Sequence, residues 1–154
     1  MASSPMPSMF MTAPQPTRAF EWTQAPWGIV LRCVPLAAAA DHFFTTNNLT
    51  LRDDPREWAG VAGEIGVARE DLLLVRQVHE ATVAVASADR SRLWPRPDAD
   101  VIVSNDPSGA PVIRVADCVP ILLADESGRA VAAIHAGWRG TARRAAIAGV
   151  GALQ

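Results

Sequence analysis

The feature that most restricts the fold is a symmetric stretch near the end of the chain. Apolar segments at 121–124 and 131–134 flank Asp125-Glu126-Ser127-Gly128, a run of turn-forming residues. Two strand-like segments around such a turn predict an antiparallel hairpin. The midpoint between Cys118 and His135 falls inside the turn, so pairing across it brings these two residues together. Directly opposed residues have Cβ atoms ~4.5–5.5 Å apart. A bulge at Gly128 would move the register by one, so the prediction is of a neighbourhood and not of a contact.

Further strands are expected at 27–34, 41–46, 72–78, 82–86, 99–104 and 112–116, with a turn at Asn47-Asn48 and a loop over 87–98. Asp53-Asp54-Pro55 reads as a helix start, and the helix runs over 56–65 to a stop at Gly66. Thr141 is expected to cap a last helix beginning at Ala142, which soon meets Gly149, Gly151 and the final Gln154. Many strands and two helices indicate an α+β architecture rather than regular βαβ alternation. Residues 1–26, rich in Pro, Ser, Thr and Gln, are expected to be a poorly ordered tail, leaving 27–154 as one domain.

Composition enters by exclusion. All 14 basic residues are arginine, so lysine Schiff-base chemistry and a P-loop lysine are ruled out. A net charge of −2 gives no support for a nucleic-acid partner. Two cysteines are too few for a disulfide framework in 154 residues. No run approaches the ~18 apolar residues of a membrane span, and the N-terminus lacks signal-peptide regions. A cytoplasmic protein without a membrane partner is the expectation.

The chain has three histidines: His42, His79 and His135. One thiolate and two imidazoles, Cys118 with His79 and His135, form a natural three-ligand set for Zn²⁺ with an open fourth position. The same residues are equally well read as a small buried thiol and hydrogen-bonded core histidines. His42, between Asp41 and two Phe, fits hydrogen bonding or packing at least as well as substrate contact. Glu80 should point away from His79. Asp117 could orient a ligand or hold substrate, or simply be a strand-end turn residue. Asp98 or Asp100 could orient a ligand histidine or mark a strand start. Gly137-Trp138-Arg139-Gly140-Thr141 offers backbone amides and a guanidinium to a phosphate or carboxylate, or is an ordinary turn with Trp138 in the core. Cys33, in an apolar run, reads as structural.

Arg76-Gln77-Val78-His79, Ala99-Asp100, Ala116-Asp117-Cys118-Val119-Pro120 and His135-Ala136-Gly137-Trp138-Arg139-Gly140-Thr141 occur in the order found in the YfiH-like, laccase-domain family. Asp41-His42-Phe43-Phe44-Thr45-Thr46 resembles that family's early His-Gly-Phe-Thr-Thr-Arg segment. The resemblance covers about 28–150. It implies a four-layer α/β/β/α fold with mixed sheets, and a metal site, usually zinc with copper as the alternative, at His79, Cys118 and His135. It further implies phosphorolysis of purine nucleosides, with adenosine deamination in some members and phenol oxidation or cell-wall precursor editing in others. Cys118, Asp117 and Arg139 are then the catalytic candidates. His42, Gln77, Gly137, Arg139 and Thr141 are the candidates for holding substrate or phosphate.

Three histidines fall far short of the about ten that several copper centres need, so a multicopper oxidase is not expected from one chain. The deaminase pattern H-x-E…P-C-x-x-C is also absent. Asn47 stands where the family has Arg, and Glu80 where it has Gly. The family's chain continues past the last helix, so a fold incomplete at its C-terminus is expected. That leaves a metal-binding module without activity, or a site completed by a homo-oligomer, as the competing reading.

Overall fold

The structure is a computed structural model and describes residues 15–87 and 95–154. Among these, eight strands lie in three sheets. The two-stranded sheets pair β1 (Phe20–Ala25) with β2 (Gly28–Cys33) and β3 (Leu72–Leu73) with β6 (Ala110–Pro111). The largest sheet has the order β4 (Val83–Ala86), β5 (Val101–Ser104), β8 (Val131–Ala136), β7 (Val119–Ala124). β4 and β5 run parallel, whereas β8 is antiparallel to both its neighbours. The sequence-based expectation of an α+β fold is met.

α1 (Pro55–Ile65) forms where local signals agree. The Asp54 carboxylate accepts the Arg56 N–H at 2.9 Å, Pro55 occupies the first turn, and Gly66 closes the helix in the left-handed region at φ 81°. Trp58, Val61 and Ala62, three and four apart, form its buried stripe against Leu72. The Glu57 carboxylate accepts the Thr50 and Leu51 N–H groups, tying the incoming loop to the helix.

The four-stranded sheet is covered on both faces, so β5 is buried along its whole length. Leu73, Val75, Ala84, Ala86, Ala99 and Ile102 pack on one side. Val101, Val103, Ala132 and Ile134 face Ala145 on the other, where α3 (Ala145–Ala152) lies. A Cβ on Gly149 would stand 2.4 Å from Ile134 Cδ1, so glycine is what lets α3 approach the sheet this closely. Because β8 is antiparallel to β5 and β7, its C-terminal end shares one rim with the starts of those strands. His135, Cys118 and Asp100 are thereby gathered at that rim.

Several expectations are corrected. The supposed tail ends too late: Phe20–Ala25 pairs with Gly28–Cys33 across a tight turn, while residues 1–14 lie outside the described residues. Of the expected strand at 41–46, one bridge remains, Phe44 against Leu31. The 72–78 strand is reduced to Leu72–Leu73, with a bridge at Arg76 to Asp98, because the chain beyond it wraps a buried carboxylate. The expected 112–116 strand is not formed: Val112 donates its N–H to the Leu73 carbonyl at 2.9 Å, and Arg114 is held by the Gln77 side chain. Of the expected 87–98 loop, residues 88–94 lie outside the described residues.

The last helix also differs. α2 (Trp138–Ala142) begins at Gly137 and includes Thr141, whose N–H donates to the Gly137 carbonyl, so Thr141 is not a cap. Arg144, at φ 66°, breaks the helix before α3 starts. Among the described residues, no helix is long and apolar enough to cross a membrane.

Candidate metal centre

The hairpin forms, with a register two residues away from the expected one. Pro120 pairs with His135, and Val119 with Ala136. The cause is Asp125, whose carboxylate accepts the Arg129 and Ala130 N–H groups at 2.6 and 3.0 Å. The Asp125 N–H therefore donates to the Ala130 carbonyl, and the Gly128 N–H closes a tighter turn onto the Asp125 carbonyl inside that pair. The Ser127 hydroxyl, followed by these amides, holds the Asp125 carboxyl below its ordinary range. A two-residue shift preserves which face each side chain takes. Cys118 and His135 thus become diagonal neighbours on one face, still within reach.

His79 arrives from the loop between β3 and β4. The ligand atoms of His79, Cys118 and His135 all lie within 4.8 Å of one another. The His79 and His135 rings meet edge-on, with centroids 4.7 Å apart. Tetrahedral zinc with Zn–S and Zn–N bonds of ~2.0–2.3 Å places its donors roughly 3.5 Å apart, so small side-chain adjustments close the set. Two imidazoles and one thiolate suit zinc, and they leave one position open. His135 is buried, Cys118 half-buried and His79 exposed, so the open side faces solvent.

Asp100 lies behind this cluster, completely buried. Its Oδ1 is 2.7 Å from His135 Nδ1, which turns Nε2 of that ring toward the other two donors. Of the two carboxylates considered from sequence, Asp98 instead forms an exposed ion pair with Arg76. Glu80 points away from the cluster and pairs with Arg143 of the link between α2 and α3. Gly137 has a role that the sequence did not reveal. A Cβ there would stand 2.9 Å from Cys118 Sγ and 3.2 Å from His79 Cδ2, so a side chain would displace two of the three donors.

Other candidates have different surroundings. His42 is buried, accepts the Cys33 N–H on Nε2 at 2.8 Å and donates from Nδ1 to the Ala40 carbonyl at 3.0 Å. Both ring nitrogens are taken up by backbone, which fits the hydrogen-bonding reading of His42. Gln77 donates to the Arg114 carbonyl and accepts the Arg114 N–H, each at 2.8 Å. Its amide stands in for a strand partner of the loop that leads to Cys118. Asp117, Arg139 and Thr141 are exposed beside the cluster. Arg139 lies 5.2 Å over the ring of Trp138, which is 76% exposed and not a core residue.

The chain is 38% identical over 96 residues to a purine nucleoside phosphorylase of Deinococcus radiodurans, covering 60% of this chain and 36% of that one. To a purine nucleoside phosphorylase of Pseudomonas aeruginosa it is 50% identical over 66 residues, 43% of this chain and 25% of the other. It is 37% identical over 95 residues to an adenosine deaminase from an unknown prokaryote, 57% and 36% of the two chains. The chain thus spans about a third of the length of the curated relatives it matches.

Among solved structures, YfiH of Bacillus licheniformis matches in fold with a TM-score of 0.66 at 23% identity, over 82% of this chain and 55% of that one. A Neisseria meningitidis protein matches at 0.58 and 25% identity, over 89% and 58%. The model of the family described as multi-copper polyphenol oxidoreductase laccase matches residues 43–154. The chain therefore belongs to this laccase-like, YfiH family.

Proposed function

We propose that the chain carries the metal-binding portion of a purine nucleoside phosphorylase, with Zn²⁺ held by His79, Cys118 and His135. The observation that carries this reading is the convergence of three zinc-type donors within 4.8 Å, backed by the Asp100 carboxylate on one of them. The names of the curated relatives support the reaction. Copper in a His₂Cys site usually takes a methionine as its weak axial ligand. All four methionines lie at positions 1–11, so the described residues offer none, which favours zinc.

A bound zinc supplies Lewis acidity, polarising an oxygen of the substrate. Phosphorolysis breaks the bond from ribose C1′ to the purine nitrogen and forms one from C1′ to a phosphate oxygen, while the purine takes up a proton. Arg139 would neutralise phosphate charge, and the exposed Trp138 ring beside it would give a purine a face to stack on. Asp117, exposed next to Cys118, makes no hydrogen bond or ion pair with a described residue, so its carboxylate is available to a ribose hydroxyl. Backbone groups of Gly137 approach the donors closely because no Cβ intervenes.

The test is release of adenine from adenosine by the zinc-loaded protein. It should require phosphate and be lost in His79→Ala and Cys118→Ala. Release without metal or phosphate contradicts the proposal. Stoichiometric zinc with no phosphorolysis would reduce it to a metal-binding module. The relative named as an adenosine deaminase favours a second reading, in which adenosine yields inosine and ammonia. The same assay separates the two by product. On α3, Ile147 and Val150 are 64% and 49% exposed, which supports a covering partner such as a second copy. Light scattering should then report a dimer, and a stable monomer would contradict that part.

A further inference from the structure

We propose that Asp100 is the positioning residue of the metal centre, and that one buried carboxylate sets both histidine ligands at once. The proposal rests on the reading of His79, Cys118 and His135 as metal ligands. Asp100 is 0% exposed and holds His135 twice. Its Oδ1 takes the ring Nδ1 at 2.7 Å, and its carbonyl accepts the His135 N–H at 2.8 Å.

The same carboxylate holds His79 through the backbone. Oδ1 accepts the His79 N–H at 3.0 Å, and Oδ2 accepts those of Glu80 and Val78 at 2.7 and 3.2 Å. Three successive amides converge on one anion when the chain curls into a concave nest, and the middle residue here, His79, is left-handed at φ 62°. That conformation is uncommon for a residue with a side chain and needs a partner to hold it. In this fold it directs the His79 ring edge-on to His135.

Two consequences separate positioning from a purely structural role. A carboxylate at Nδ1 fixes the proton there and leaves Nε2 with a lone pair for the metal. The carboxylate also links the two ligands, so both are arranged before any metal binds.

The experiment has two arms on the full chain. In the first, Zn²⁺ affinity is measured by chelator competition for the wild type and Asp100→Asn, with far-UV circular dichroism as the check on folding. The variant should bind about 10–100-fold more weakly with its secondary structure intact. Affinity within twofold of wild type overturns the proposal. Should the variant not fold, the second arm decides, since it uses the chelator-treated wild type. Long-range ¹⁵N–¹H correlation should show His135 protonated at Nδ1, and an Nε2-protonated ring overturns the proposal. A wild type that binds no Zn²⁺ refutes the metal reading alone, because the tautomer reports the Asp100–His135 bond independently.

Discussion

His42 and His135 are both buried, at 7% and 3% exposure, and both are hydrogen-bonded through Nδ1. They differ at the second nitrogen. His42 spends Nε2 on the Cys33 N–H, so its ring is a bridge between two stretches of backbone. His135 gives Nδ1 to a carboxylate and presents Nε2 to a thiol and a second imidazole. Burial and hydrogen bonding therefore do not mark a site. A histidine becomes a ligand when one nitrogen is fixed and the other faces further donors.

The comparison is most severely tested by removing donors. His135→Ala or Cys118→Ser should lower Zn²⁺ affinity by more than roughly a hundredfold, beyond what loss of an outer hydrogen bond costs. Chelator competition checks this, and equal affinity in wild type and variants would break the distinction. Gly137→Ala should come next. Its backbone, at φ −67°, accepts alanine, but the new Cβ crowds Cys118 and His79, so affinity should fall about tenfold with thermal stability little changed.

His42→Phe should give the opposite pattern. The Cys33 N–H and Ala40 carbonyl lose their partner, at about 2 kcal/mol in urea unfolding, while Zn²⁺ affinity stays at the wild-type value. The smallest effect is expected far from both histidines. The side-chain hydrogen bond from Arg56, followed by its backbone N–H, lowers the Asp54 carboxyl to about 2. A depressed folded-state pKa means that the cap's contribution is complete above the ordinary value of 3.8 and is lost as pH falls through about 2. Thermal melts of wild type and Asp54→Asn should differ slightly at pH 6 and converge near pH 2, with metal binding at pH 6 the same in both.

What was legible in the sequence follows from how local each signal is. α1 could be read because Asp54, Pro55 and Gly66 act on their own neighbours. The approach of Cys118 to His135 could be read because a two-residue error in a hairpin leaves the facing of side chains unchanged. The register itself could not, since it depends on Asp125 drawing two amides around its carboxylate. The break at Arg144 was hidden because left-handed backbone at an arginine has no sequence signature. Strand β1 was missed because its residues follow a Pro- and Thr-rich stretch and pair with a partner beyond Pro26. The backbone contacts of His42 and Gln77 are hidden for a related reason: their partners, nine and 37 residues away, meet them only in the folded chain.

The account stands on one claim, that His79, Cys118 and His135 close around a single zinc ion. X-ray absorption of the zinc-loaded protein tests it directly. The account predicts one sulfur at about 2.3 Å, two imidazole nitrogens at about 2.0–2.1 Å and one further light atom in the open position. A first shell without sulfur, or with fewer than two imidazoles, would contradict it.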